Sequence, residues 1–288
     1  MKVCLACAHR FASPTWTCPA CGWAPASDGE VRFAPDLASG DAAFVEDAFE
    51  LLASIEQSSF WFRSRNDLIA WTVRKYFPRA ETLFEVGCGT GFVLAGLRQR
   101  FPQIKLVGAE LFASGLAEAR KRLPDTTLYQ MDARRIPFEK EFDVVCAFDV
   151  LEHVHEDEQV LAQLFQAVSP GGGFVLTVPQ HPRLWSAVDD FSRHQRRYTR
   201  RELIRKLEDT GFAVTRTTSF VTLLLPALVA SRLIHRGDHD FDPETEYGLP
   251  TRLDLALERV MRLERRLIER GMSFRIGGSL LAIAMRPQ

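Results

Sequence analysis

The sequence predicts an open α/β sheet with helices on both faces, and three observations predict it. First, the short run Leu83-Phe84-Glu85-Val86 leads into Gly87-Cys88-Gly89-Thr90-Gly91, with glycine at every second position. The run reads as a buried parallel strand. The glycines read as a turn that lets backbone approach a ligand and packs a helix against the strand. Second, further apolar runs of strand length alternate with helical segments. Third, the next strands end in acids, Glu110, Asp132 and Asp149. In such sheets the ligand lies outside the carboxyl ends of the strands. A glycine turn alone also suits an ordinary βα connection, but acids at three strand ends in step with it point to one crevice.

Composition sets the frame. The 288 residues suit one large α/β domain plus an appendage. Apolar residues make up 46% and charged residues 25%, ordinary for a protein with a sizeable core. A net charge of −1 gives no global attraction for nucleic acid, and none is expected as a partner. No apolar leader core follows Met1, and no run reaches the roughly 20 apolar residues of a membrane span. A reducing cytoplasm is expected, where paired cysteines hold metal more often than they form disulfides.

In chain order, residues 1–24 carry Cys4, Cys7, Cys18 and Cys21, two C-x2-C pairs that offer four thiolates to a tetrahedral ion. The segment resembles a zinc ribbon; rubredoxin-like iron is the minor alternative. So small a module needs the metal for stability. Residues 25–40 read as a linker and 41–78 as two helices forming a lid. The stretch between those helices, Ser59 to Asn66, holds Phe60-Trp61-Phe62 and then Arg63 and Arg65. It reads as a packing corner or as part of a lid over the glycine turn. After the glycine turn come a helix closed by Pro102, a strand ending at Glu110, a helix from Ala113 to Leu123, and strands Thr127–Ala133 and Phe142–Asp149. A helix with Glu156, Asp157 and Glu158 in its first turn is broken by Pro170-Gly171-Gly172-Gly173, and Phe174–Pro179 is the fifth strand. Residues 180–198 read as a long loop. Thr199 and Glu202 form a capping box for a helix ended by Gly211, followed by a strand from Ala213. The apolar run Phe220–Ile234 leaves three roles open: a helix on the core, a homodimer contact, or a membrane-surface anchor. The polar stretch 235–250 leads to a second capping-box start, Thr251 with Asp254, and a helix whose stripe includes Leu253, Leu257, Met261 and Ile268. The strand Phe274–Ala284 closes the chain.

Taken together, Glu85-x-Gly87-x-Gly89-x-Gly91, Glu110, Asp132, Phe148-Asp149-x-Leu151-Glu152-His153 and Pro170-Gly171-Gly172 match in order the motifs of class I S-adenosylmethionine-dependent methyltransferases. Residues 82–220 and 274–285 resemble that family. The resemblance implies a Rossmann-like seven-stranded sheet of order 3-2-1-4-5-7-6 with the last strand antiparallel. It implies a methyltransferase domain over 79–288 with a helical insertion at 222–272. It also implies that residues 85–91 wrap the amino-acid part of the cofactor, that Glu110 holds the ribose and Asp132 the adenine amino group, and that Phe148-Asp149 lies beside the methionine part. The residues expected around the cofactor are Glu85, Gly87, Cys88, Gly89, Thr90, Gly91, Phe92, Glu110, Leu111, Asp132, Ala133, Phe148, Asp149 and Val150, with Trp61 and Arg65 from the lid.

The expected reaction is methyl transfer to a small-molecule acceptor of metabolite, lipid or glycan type, at oxygen or nitrogen. Alternatives are a nicotinamide-dependent oxidoreductase, disfavoured because the turn lacks Gly-x-Gly-x-x-Gly spacing, and a non-catalytic adaptor recruited through the ribbon. On the acceptor side, His194, His153 and Tyr198 are the catalytic candidates, since a histidine can take a proton from a hydroxyl or amine. The basic run Arg193, Arg196, Arg197, Arg200, Arg201, Arg205 and Lys206 either solvates a helix or attracts an anionic acceptor.

Overall fold

A computed structural model describes residues 1–38, 43–234 and 249–288. The polar stretch 235–248, and with it the middle of the expected insertion, lies outside the described residues, as do the linker's residues 39–40 and the lid's first residues, 41–42.

The chain opens with β1 (Lys2–Val3) and β2 (Arg10–Phe11), an antiparallel pair of their own, and then β3 (Ala26–Ser27) and β4 (Val31–Arg32). Helices α1 (Ala43–Ile55) and α2 (Phe60–Tyr76) precede β5 (Thr82–Val86), α3 (Phe92–Arg100), β6 (Lys105–Glu110), α4 (Ala113–Arg122) and β7 (Thr127–Gln130). Then come β8 (Phe142–Phe148), α5 (Asp157–Ala167), β9 (Val168–Pro179), α6 (Ala187–Phe191), α7 (Arg200–Thr210) and β10 (Ala213–Phe220). Helices α8 (Leu225–Ile234) and α9 (Thr251–Glu269) and strand β11 (Ser279–Met285) complete the described elements.

One sheet of nine strands, β10-β11-β9-β8-β5-β6-β7-β4-β3, runs through the molecule. Strands β5 to β9 are parallel, and β11 lies antiparallel between β9 and β10. The expected seven strands are therefore two too few. The extra pair comes from the segment read as a linker: Val31 and Arg32 pair in parallel with Tyr129 and Gln130 of β7. Two-residue strands on either side of Asp28-Gly29-Glu30 carry too little apolar pattern to be read as strands, and their pairing is set by the packing beneath them.

Alternation sorts the sheet's side chains onto two faces. Phe84, Val145, Phe174 and Leu280 join the helices α5 and α7, whereas Leu83, Val144, Val175 and Leu281 face α2, α3 and α9. Both faces are covered, which explains why the parallel strands read as continuous apolar runs.

Other expectations are corrected. The aromatic stretch from Phe60 is no connector but the first turns of α2. The Pro170-Gly173 segment does not end the preceding helix; α5 stops at Ala167 and β9 runs from Val168 through that segment. The loop 180–198 contains α6, capped by Ser186 and Asp189. Thr199 caps α7 as expected, accepting from the Glu202 amide at 3.2 Å. Thr251 caps nothing: Asp254 turns away to accept from the Phe60 amide at 2.6 Å and to pair with Arg63. Asp254 and Glu264 take buried places in the α9 stripe, and Leu253 is exposed.

Candidate cofactor crevice and cysteine cluster

The ends of β8, β5, β6 and β7 are consecutive along one edge of the sheet, so Asp149, the glycine turn, Glu110 and Asp132 face a common crevice. Gly87, Gly89 and Gly91 all have positive φ, which glycine alone adopts without strain. At Gly87 a Cβ would stand 2.5 Å from Val150 Cγ2, so the turn is built against the β8 loop. Glu110 grips the turn: its Oε2 accepts from the Gly89 amide at 2.9 Å, and Oε1 accepts from Leu111 at 2.8 Å and Phe112 at 3.1 Å. Burial raises its carboxyl, against the pull of these amides.

Glu85 sits beneath the turn, 2% exposed, with Oε2 lacking any partner. Burial pushes its carboxyl up to about 8, against the opposing charge of Arg65. Arg65 stacks on Trp61, 4.6 Å from the ring centre, and ion-pairs with Asp149, while its Nε has no partner. Trp61 and Arg65 therefore reach the crevice from α2. Cys88 is buried and packs toward Gly108, a wall residue. Phe92 opens α3 and Phe148 ends β8.

Two candidates are engaged otherwise. Thr90 Oγ1 donates to the Glu56 carboxylate at 2.7 Å and accepts from Arg122 at 2.7 Å, so it fastens the α1–α2 connection to the turn. Asp132 accepts from the amide of Arg134 at 2.9 Å and from its Nε at 3.0 Å, closing a local turn that includes Ala133. Phe49, Glu56 and Arg122 carried no sequence signal, yet Phe49 lies over Gly89 and Gly115. They come from separate elements and become neighbours only when α1 packs on α4.

Among the catalytic candidates, the rings of His153 and His194 meet edge to face, 4.7 Å apart. His194 Nδ1 donates to Asp189 at 2.9 Å, and Asp189 also accepts from Arg197 Nε at 2.7 Å. Burial opposes the charge of Asp189, but the bonds from His194 and Arg197 prevail and hold its carboxyl down to about 2. Tyr198 does not belong here. It is fully buried and donates to Asp157 at 2.7 Å, with burial and Asp157 raising its own proton affinity. Asp157, read as a helix-dipole residue, is the hub of a buried network that also takes Lys206 and Arg196. The basic run is largely spent internally: Arg196 on Asp157, Arg197 on Asp189, Arg200 on Thr217 and Lys206 on Asp157.

At the N-terminus the four cysteines converge. The Sγ atoms of Cys4 and Cys21 are 3.6 Å apart and those of Cys7 and Cys18 3.7 Å. Tetrahedral zinc with bonds of about 2.3 Å separates its sulfurs by roughly 3.8 Å. The two pairs repeat one turn: Ala8 donates to Cys4 and Gly22 to Cys18, both at 2.9 Å.

An open sheet with a glycine turn, strand-end acids and a covering helix pair defines an α/β protein that holds a nucleotide-type cofactor. The family model described as a methyltransferase domain matches residues 56–217, and the chain belongs to that family. Trans-aconitate 2-methyltransferase of Variovorax paradoxus is 33% identical over 120 residues, 41% of this chain and 45% of that protein. dTDP-3-amino-3,4,6-trideoxy-alpha-D-glucopyranose N,N-dimethyltransferase of Streptomyces venezuelae is 36% identical over 112 residues, 38% of this chain and 46% of that protein. These matches span about half the length of the relatives. A chain of the Haloferax volcanii complex between the Trm112 methyltransferase activator and a methyltransferase superposes with a TM-score of 0.55 at 21% identity, over 85% of this chain and 98% of that one, and shows the fold. Among the described residues no helix is long and apolar enough to cross a membrane.

Proposed function

We propose that the protein transfers a methyl group from S-adenosylmethionine to a small-molecule acceptor. The observation that carries this reading is Glu110 at the end of β6 gripping the Gly89 amide of the glycine turn at 2.9 Å, within a chain of the methyltransferase family. Residues Gly87 to Gly91 bring backbone to the methionine part of the cofactor. The buried, unpartnered Oε2 of Glu85 fits the cofactor's ammonium group, and Arg65, with its free Nε, fits its carboxylate. Glu110 accepts from the ribose hydroxyls, and Asp132, released in part from Arg134, from the adenine amino group. Trp61 and Phe49 close over the crevice and exclude water.

Transfer from a sulfonium is an in-line displacement with an activated leaving group, so alignment supplies most of the rate. The acceptor enters at the ends of β8 and β9, where His194, held by Asp189, meets its hydroxyl or amine. The relatives act on a carboxylic acid and an amino sugar by name, which supports a small polar acceptor. Cys4, Cys7, Cys18 and Cys21 hold one zinc ion that stabilises the N-terminal module.

Isothermal titration with S-adenosylmethionine and with NADH tests the reading. Saturable micromolar binding of the sulfonium and none of the dinucleotide is expected; the reverse pattern rules methyl transfer out. Labelled cofactor incubated with cell extract then reports the acceptor.

A further inference from the structure

We propose that Glu152, His153 and His194 bind a divalent first-row transition-metal ion beside the cofactor crevice, at the place where the acceptor enters. One oxygen of Glu152 and one nitrogen of each histidine lie within 4.8 Å of one another. An ion with bonds of about 2.0–2.2 Å holds its donors roughly 3–4 Å apart. Small side-chain rotations therefore close the set.

Three independent features point the same way. Glu152 is fully buried, and neither carboxylate oxygen has a hydrogen-bond partner. A buried carboxylate without partners is costly, and a cation is the group that satisfies both oxygens. Each imidazole also has one nitrogen engaged by an oxygen acceptor: His194 Nδ1 by Asp189 at 2.9 Å, His153 by the backbone of Ser192. Such acceptors fix the tautomer and leave the other nitrogen to ligate, the outer-shell arrangement of metal-bound histidine. Finally, His153 is exposed, so an ion reaches the cluster from solvent.

Two imidazoles and one carboxylate suit zinc, manganese or iron(II) better than magnesium or calcium. Three protein ligands leave positions open for an acceptor oxygen. The turn Leu151–His153 follows Val150, which covers Gly87, so those positions adjoin the glycine turn. The catalytic consequence rests on the methyl-transfer reading above. A hydroxyl on the ion gives its proton to water. Its oxygen takes the methyl group, and the carbon–sulfur electron pair stays on sulfur. The ion is unchanged, and His194 serves as ligand rather than as a free base.

The test uses the full chain with zinc at its cysteines, titrated with Mn2+ and followed by electron paramagnetic resonance. One saturable Mn2+ per chain is expected. Its affinity falls at least tenfold in Glu152→Gln and in His194→Ala, and equally in His153→Ala, whose exposed side chain can be removed without a cavity. Far-UV circular dichroism checks the fold of each variant. If Mn2+, Fe2+ and Zn2+ all fail to bind beyond the cysteine-held ion, or bind unchanged in all three variants, the site does not exist. S-adenosylmethionine titrated into the same samples separates the two readings: sulfonium binding without the extra ion sinks the site alone, and the extra ion without sulfonium binding sinks methyl transfer alone.

Discussion

Glu85 shows how one side chain can link folding, pH and cofactor. Its carboxyl is held up to about 8 by burial, with Arg65 opposing. The folded state thus binds this proton more tightly than the unfolded chain does. The resulting stabilisation is fully present below the ordinary carboxyl range and is lost as pH rises through about 8. Glu85→Gln keeps the shape and removes the titration. Its denaturation midpoint should match the parent at about pH 4, below the ordinary glutamate value of roughly 4.3, and exceed it above the folded-state value. Equal midpoints throughout would mean that Glu85 is already ionised. An arriving ammonium group requires the carboxylate, so cofactor binding near neutrality should release a proton. Calorimetry in buffers of different ionisation enthalpy measures that release, which Glu85→Gln should abolish. Glu110 acts at the neighbouring strand end. Glu110→Ala frees three backbone amides and removes the group proposed to accept from the ribose. A charged hydrogen bond is worth about 1.5–3 kcal/mol, so cofactor affinity should fall at least roughly tenfold. An unchanged dissociation constant in a folded variant would leave Glu110 only its role of holding the turn.

Among the elements, α1 and its connection to α2 are the part most suited to open and close. Besides the packing of Phe49, a buried cluster fastens them, where Glu56 takes Thr90 and Arg122, and Arg122 also donates to Ala53 O at 2.9 Å. Burial raises the Glu56 carboxyl, against the pull of Thr90 and Arg122. Removing Arg122 leaves that acid buried and uncompensated, a loss of about 3–5 kcal/mol for a buried pair. Arg122→Met should therefore speed amide exchange across α1 and accelerate cofactor release while β5 and β6 stay protected. Uniform loss of protection would place the latch in the global fold. None of this could be read from the sequence, because Glu56, Thr90 and Arg122 belong to three different segments and only packing joins them. The glycine turn, the strand-end acids and the Thr199 cap were legible, since their chemistry is local and their spacing fixed. Asp132 and Thr90 were legible as positions but not as partners, because a neighbouring guanidinium or acid claims each. Tyr198 misled because a phenol in a polar loop resembles an acid–base group until Asp157 is found beneath it. The hairpin of β3 and β4 was missed for the same reason that the latch was: its partner strand lies about a hundred residues away in sequence, beyond any local signal.

Across the whole molecule, the cysteine module is built into the methyltransferase sheet. Trp16 packs against Phe33 at 4.6 Å, Phe138 at 5.5 Å and Tyr129 at 5.7 Å between ring centres, and Lys2 lies over its face at 4.5 Å. Gln130 ties this edge to the cofactor side: it donates to Ala34 O and to Leu111 O, both at 2.8 Å, and Leu111 adjoins Glu110. The strands β1 and β2 have two residues each, too short to hold their shape by pairing alone, so the zinc ion proposed for the four thiolates would supply the order. Loss of that ion should release Trp16 from its aromatic neighbours and loosen the β4–β7 edge. Cys7→Ser and Cys21→Ser, at the two exposed ligands, remove this ion without touching the histidine cluster. Each should lose one zinc by elemental analysis, shift tryptophan emission to the red, and lower the melting temperature by several degrees, as a loss of about 1–2 kcal/mol does in a chain of this size. Cofactor affinity should weaken a few-fold through Gln130 and Leu111. If zinc is lost while emission, melting temperature and cofactor affinity all stay as they were, the ion orders only its own turns and the coupling along the sheet edge is absent.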